Sequence, residues 1–159
     1  MNFIIRPIKD SEIHLLEDFI YEAIFIRKGE NKPPRNIIEN EDLQVYIRDF
    51  GKLKDDNCVV AEHDNKVIGA CWTRIMNDYG HIDDETPSFA ISLYEKYRNH
   101  GIGTKLMNEM LNLLKEKGYK KTSLAVQKDN YASKMYEKLG FSIIKETEEE
   151  YIMVYDLQN

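Results

Sequence analysis

The sequence predicts one α/β (α+β) domain in which a mixed β-sheet is covered by helices. Three observations carry this. The chain has 159 residues, enough for one ordinary core and too few for two. Stretches of period-two apolar alternation are interleaved with stretches of helical spacing, in the order β-α-α-β-β-β-α-β-α-β-β. No repeat, low-complexity tract or linker interrupts that order, so the single domain is taken to span 1–159.

Phe3-Ile4-Ile5-Arg6-Pro7 reads as an opening strand, ended by Pro7 because proline removes a ladder donor. Asp10 or Ser11 can cap the next segment, where Ile13, Leu16, Ile20 and Ala23-Ile24 recur at helical spacing. Arg27 to Asn36 is a polar loop containing Gly29 and Pro33-Pro34. Asn36 to Phe50 predicts a second, weaker helix stopped by Gly51.

Cys58-Val59-Val60-Ala61 is a strand core, Asp64-Asn65 is turn chemistry, and Val67 to Met76 returns as the second arm of a hairpin. An unbroken ladder from a two-residue turn would set Cys58 opposite Cys71. A disulfide at that position would be strained, so two reduced core thiols are expected. Trp72 alternates with Ala70 and Arg74 and reads as a packed residue, a place on an acceptor groove being the alternative. Asn77 to Pro87 is a loop with Gly80 and the run Asp83-Asp84-Glu85. In Ser88 to Tyr94, Phe89, Ile91 and Leu93 share one face and Ala90, Ser92 and Tyr94 the other.

The strongest helix follows. Ile102, Leu106, Met110 and Leu113-Leu114 form its stripe, Met107 and Leu111 widen it, and Gly118 stops it. Lys120 to Val126 is a strand, and Asn130 to Leu139 a short helix closed by Gly140. Phe141 to Lys145 and Tyr151 to Leu157 form a final hairpin across Glu146 to Glu150, whose glutamates read as a solvated tip.

Composition narrows the function classes. Hydrophobic residues at 42% and aromatics at 11% suffice for a core and exclude a disordered chain. With 22 basic against 28 acidic side chains the net charge is −6, which argues against nucleic acid as a partner. No apolar run approaches the ~20 residues of a bilayer span, and Met1 to Arg6 leads straight into a strand, so neither a membrane segment nor a secretory signal is expected. Two cysteines make no disulfide framework, which fits a cytoplasmic location. His14, His63, His81 and His100 have no ligand-like spacing, and no metal is expected.

The informative stretch runs from Ile91 to Thr104: a strand, a short turn containing Gly101 and Gly103, and the start of the long helix. A helix N-terminus presents unpaired N–H groups and a partial positive charge, and glycines let a ligand approach the backbone. Lys96, Arg98 and Lys105 against Glu95 add a local positive surplus within an acidic chain. A tight turn that needs glycine for its dihedrals is the plain alternative. Dinucleotide and P-loop patterns fit poorly: Gly101-Ile102-Gly103-Thr104-Lys105-Leu106 lacks the third small residue, and no Gly-x-x-x-x-Gly-Lys exists.

Arg98 to Gly103 matches the Arg/Gln-x-x-Gly-x-Gly/Ala pattern of the GCN5-related N-acetyltransferase (GNAT) superfamily. Asn130-Tyr131-Ala132-Ser133-Lys134-Met135-Tyr136-Glu137-Lys138-Leu139-Gly140-Phe141 resembles its second signature. The resemblance implies a mixed, mostly antiparallel sheet flanked by about four helices. It implies that acetyl-CoA is a cosubstrate, with Arg98, Asn99, His100, Gly101, Ile102, Gly103 and Thr104 cradling its pyrophosphate. Ile91, Ser92 and Leu93 would lie along the pantetheine arm, which pairs with the strand edge as an added strand would. Asn130 would bond the arm or nearby backbone, although its spacing to Tyr136 is one residue shorter than in many members. Tyr136 would protonate the leaving thiolate, and backbone N–H groups near Leu93 could polarise the thioester carbonyl.

The implied reaction is direct transfer of acetyl to a primary amine of a small molecule or peptide in a ternary complex, with no acyl-enzyme. Some members carry a glutamate where this chain has Pro87 and Ser88, so the general base is left to Glu85 or to a water chain. The loop from Arg27 to Asn36 and the last hairpin would border the acceptor site, where the glutamates suit a cationic amine. Polyamines, amino acids, aminoglycoside-like amines and protein N-termini all fit. The exposed strands of the final hairpin suit a homodimer. A non-catalytic coenzyme-binding module and a protein-interaction domain are the rival readings.

Overall fold

The apolar strand segments of the sequence assemble into one seven-stranded sheet in the order β1-β2-β3-β4-β5-β7-β6. The computed structural model describes residues 1–158. The strands are β1 (Ile4–Pro7), β2 (Asn57–His63), β3 (Lys66–Arg74), β4 (Ser88–Leu93), β5 (Lys121–Gln127), β6 (Ser142–Glu146) and β7 (Glu150–Asp156). The helices are α1 (Leu16–Glu22), α2 (Glu41–Gln44), α3 (Ile102–Glu116) and α4 (Ala132–Leu139). Every neighbouring pair is antiparallel except β4 and β5. The predicted element order and fold class are those observed.

Two apolar clusters explain why the central strands lack a polar face. On one side α3 buries Ile102, Leu106, Met107, Met110, Leu111 and Leu114 against Val59, Ile68, Cys71, Phe89 and Leu93. On the other, Leu16, Phe19 and Ile20 of α1 cover Cys58, Val60, Ala70 and Trp72. Strands covered twice read as near-continuous apolar runs. Gly118 ends α3 in the left-handed region (φ +86°). Gly140 (φ +118°) ends α4, and there a Cβ would come within 2.9 Å of the Tyr155 ring.

Trp72 is fully buried, with its Nε1 donating to Tyr46 O at 3.1 Å, so it is a packed residue and lines no groove. The two early helices are shorter than predicted. The first opens as a 3₁₀ turn (Asp10–Leu15), capped neither by Asp10 nor by Ser11. Arg6 instead draws in Glu12 at 2.7 Å, and that carboxylate accepts the Lys9 N–H at 2.9 Å. The predicted helix Asn36 to Phe50 breaks at Asn40, whose extended ψ of 141° separates a 3₁₀ turn (Arg35–Glu39) from α2.

The hairpin corrects one expectation. Asp64 and Asn65 adopt φ of +50° and +64°, the two-residue turn foreseen, and His63 faces Lys66. Between Ala61 and Glu62 the register then shifts, so that Ala61 faces Gly69 and Ile68 is the extra residue. Cys58 therefore faces Trp72, and Cys71 faces Val59. The one-residue slip sends the two thiols to opposite faces of the sheet. Both are free and buried, and burial pushes both thiols up, away from the reactive thiolate.

A buried ion pair ties the α2 region to the sheet. Asp56 accepts Arg74 Nε at 3.0 Å and Nη2 at 2.9 Å, while Arg74 Nη1 donates to Val45 O and Arg48 O. The two side chains are 0% and 5% exposed, so the charges are desolvated. Asp56→Ala leaves Arg74 buried without its counter-charge and is expected to cost about 3–5 kcal/mol. Urea denaturation checks this as a lowered midpoint; a loss below about 1 kcal/mol, the value of a surface pair, would refute it.

Candidate active site

The sheet is split where its direction changes. β4 and β5 are joined through a single backbone pairing, Ser88 with Ser123, whereas β5 runs a full ladder with β7. Side chains fasten the split at its closed end: Ser123 Oγ donates to Gly80 O at 2.7 Å and Thr122 Oγ1 to Pro87 O at 2.8 Å. The amide of Tyr94 donates to Ile68 O on β3 at 3.0 Å. Because bonding direction alternates along a strand, the backbone groups of Phe89, Ile91 and Leu93 point the other way, towards β5; Phe89 takes part in the single rung, and Ile91 and Leu93 face the open edge beyond it. Phe89 to Ile91 and Leu124 to Gln127 form facing walls of a cavity of about 300 Å³.

At the far end of β4 the chain turns through Asn99 (φ +65°) and Gly101 (φ +80°) into α3. No side chain among the described residues caps that helix, so the first-turn N–H groups of Ile102, Gly103 and Thr104 lack partners within it. A Cβ on Gly101 would meet open space, so its glycine answers to the left-handed backbone and not to packing. At Gly103 a Cβ would lie 3.8 Å from Leu93 and 3.9 Å from Ile91, which fixes how closely the turn sits on β4. The Arg98 guanidinium clips the turn in place, donating to Leu93 O at 3.2 Å and Glu22 O at 3.0 Å. His100 is exposed beside it. Open strand edge, uncapped helix and close-lying glycines fit an extended ligand with a pyrophosphate at one end.

Among the predicted residues, Ile91, Asn130 and Tyr136 line the cavity. Asn130 Oδ1 accepts the Ala132 N–H at 2.9 Å and so starts α4. Ser92 turns away from the open edge: its hydroxyl donates to Phe19 O at 2.6 Å on the opposite face, and by the same alternation its backbone pairs with Ala70 on β3. The ring of Tyr136 packs 5.9 Å from that of Phe141. Its hydroxyl has no hydrogen-bond partner among the described residues, and burial, with a smaller effect from Cys71, pushes its pKa up. Tyr136 is therefore protonated at neutral pH, the state a proton donor needs.

Glu85 is exposed and lies outside the cavity, its loop held by Asp83 accepting the Glu85 N–H at 2.9 Å. Other acids approach the site. Asp78 accepts Ser88 Oγ at 2.7 Å and Tyr46 Oη at 2.8 Å, and Tyr46 lines the cavity. Glu150, read from sequence as hairpin tip, instead opens β7 opposite Gln127 and lines the cavity too. The run from Tyr151 to Tyr155 that follows is continuously apolar and shows no alternation, so no local signal placed Glu150 on the strand. Arg27 closes the rim, donating to Asp129 at 2.7 Å and Gln127 at 3.1 Å, which brings the first long loop over the end of β5.

The sequence model of the acetyltransferase (GNAT) family matches residues 20–141. Over 68 residues, 40% of the chain, it is 43% identical to a mycothiol acetyltransferase of Corynebacterium aurimucosum, of which it covers 22%. Over 101 residues, 58% of the chain, it is 34% identical to the ribosomal protein bS18 alanine N-acetyltransferase of Haemophilus influenzae, covering 63% of that protein. The chain thus spans less than two thirds of the length of either relative. In fold it is similar to the PaiA N-acetyltransferase of Thermoplasma acidophilum in complex with coenzyme A. That likeness has a TM-score of 0.71 and 20% identity, covering 98% of this chain and 99% of the other.

Proposed function

The chain belongs to the acetyltransferase (GNAT) family, and from that premise we propose that it transfers the acetyl group of acetyl-CoA to a primary amine by direct attack in a ternary complex. The observation that carries this is the open edge of β4 running into an uncapped helix N-terminus, with Tyr136 on the cavity alongside. When bound, acetyl-CoA supplies the activated acetyl thioester. The outward backbone groups of Leu93 and the carbonyl of Ile91 hold the pantetheine arm as a neighbouring strand would. First-turn amides from Ile102 to Thr104 and the local positive charge hold the pyrophosphate.

The Ile91 N–H, at the open edge and on the cavity that Tyr136 also lines, donates to the carbonyl oxygen as negative charge gathers there. Tyr136 gives its proton to the departing sulfur; phenol and thiol reference values of ~10 and ~8.5 are close enough for that transfer. Arg98 keeps strand end and turn in register, so the two binding regions act on one ligand.

Two measurements test the proposal. Coenzyme A is expected to raise the melting temperature in a concentration-dependent way. Thiol release from acetyl-CoA is expected only when an amine is present. No thermal shift would return the glycines to a purely structural role; a shift with no amine-dependent release would leave a binding module.

A further inference from the structure

The cavity holds a second unsatisfied group whose proton chemistry is opposite to that of Tyr136. Glu150 opens β7 directly across from Gln127, and both residues line the cavity. Of the other acids near it, Glu146 pairs with Lys128 at 3.6 Å, Asp129 with Arg27 at 2.7 Å, and Asp78 takes two hydroxyl donors, while Asp42 lines the cavity as an exposed, water-solvated carboxylate. The Glu150 carboxylate has no hydrogen bond and no ion pair among the described residues, although it is half-buried. A partly desolvated carboxylate without a donor is costly, and a cation entering the cavity removes that cost. Tyr79 lines the same cavity with a ring that is 64% exposed, a face on which an ammonium group can rest.

We propose that Glu150 receives the ammonium group of the acceptor and takes its proton, so that the site selects amines that arrive positively charged. This rests on the acetyl-transfer reading above. Burial, then Glu149 and Asp78, push the carboxyl of Glu150 up, which makes it a better proton acceptor than a solvated glutamate. The proton balance closes. One ammonium proton passes to Glu150, and the freed lone pair forms the N–C bond to the acetyl carbon. The C–S bond breaks, and sulfur takes the Tyr136 proton. The nitrogen then returns its extra proton to the Tyr136 phenolate, and Glu150 loses its own to water. One proton is released per turnover, as conversion of an ammonium to an amide requires.

The test compares the full chain with Glu150→Gln, which keeps shape and removes charge. Acceptors are spermidine, phenethylamine and alanine amide, all cationic at neutral pH, and hydroxylamine, a nitrogen nucleophile that is already neutral there. Thiol release is measured alongside coenzyme A affinity and melting temperature. For the cationic acceptors the variant is expected to lose about a hundredfold in kcat/KM. Its hydroxylamine rate and coenzyme A affinity are expected to stay within about threefold. An active wild type whose variant stays within that margin on the cationic acceptors overturns the role of Glu150 alone. An equal loss with hydroxylamine overturns it too, because the carboxylate would then be shaping the site. Activity of the wild type with hydroxylamine only does the same. A wild type that binds coenzyme A but acts on none of the four overturns the acetyl-transfer reading and this inference with it.

Discussion

Tyr136→Phe is expected to lower kcat by about two to three orders of magnitude while leaving coenzyme A affinity within about twofold. The asymmetry follows from the surroundings of the hydroxyl. It has no partner among the described residues, so its removal breaks no hydrogen bond there, and the ring retains its contact with Phe141. Deleting an unsatisfied, partly buried hydroxyl costs the fold nothing and can even stabilise it. An unchanged or higher melting temperature together with a collapsed kcat would mark a proton donor. A structural tyrosine would show the reverse. Steady-state thiol release with calorimetric titration of coenzyme A separates these outcomes, and a kcat within about twofold of wild type would end the acid role.

Gly101→Val is expected to abolish measurable coenzyme A binding while the protein stays folded. A valine at φ +80° is strained by about 1–3 kcal/mol, which a domain of this size survives. No atom of the described residues lies within 4 Å of the added Cβ, so the substitution enters open space at its first atom. It stands where the first-turn amides of α3 face outward, and there it keeps a phosphate from the backbone. Circular dichroism and calorimetry on the one variant provide the check. Retained affinity within about tenfold would mean that the glycine serves only the turn.

The sequence was most readable where one local rule decides the structure. The stripe from Ile102 to Leu114 and Gly118 define α3 because a buried face and a left-handed stop are properties of neighbouring residues. Asp64-Asn65 announced its turn for the same reason. The bulge at Ile68 had no such marker. Val59 to Ala61 and Val67 to Trp72 are buried on both faces, so a one-residue slip leaves the apolar pattern unchanged, and the facing of Cys58 and Cys71 was misread. The Asp56–Arg74 pair escaped because its partners are 18 residues apart and meet only in the fold. Glu150 was hidden in a run of like residues, where composition says solvent and only the start of β7 says cavity. For the candidate site, the turn from Arg98 to Thr104 was legible as a motif. The parting of β4 from β5, which makes the turn useful, is a tertiary event that no local pattern records.

That parting ties the chain's persistence to what it carries. Strands β1 to β4 and strands β5, β7 and β6 are two half-sheets that share one backbone rung. On the function proposed above, an extended coenzyme seated between them would add the absent rungs and make the two halves one mechanical unit. Binding free energy then enters the opening equilibrium of the sheet itself, and resistance to proteases rises with the ligand concentration. A cell short of coenzyme would hold this protein in its more perishable form, and one rich in coenzyme would preserve it.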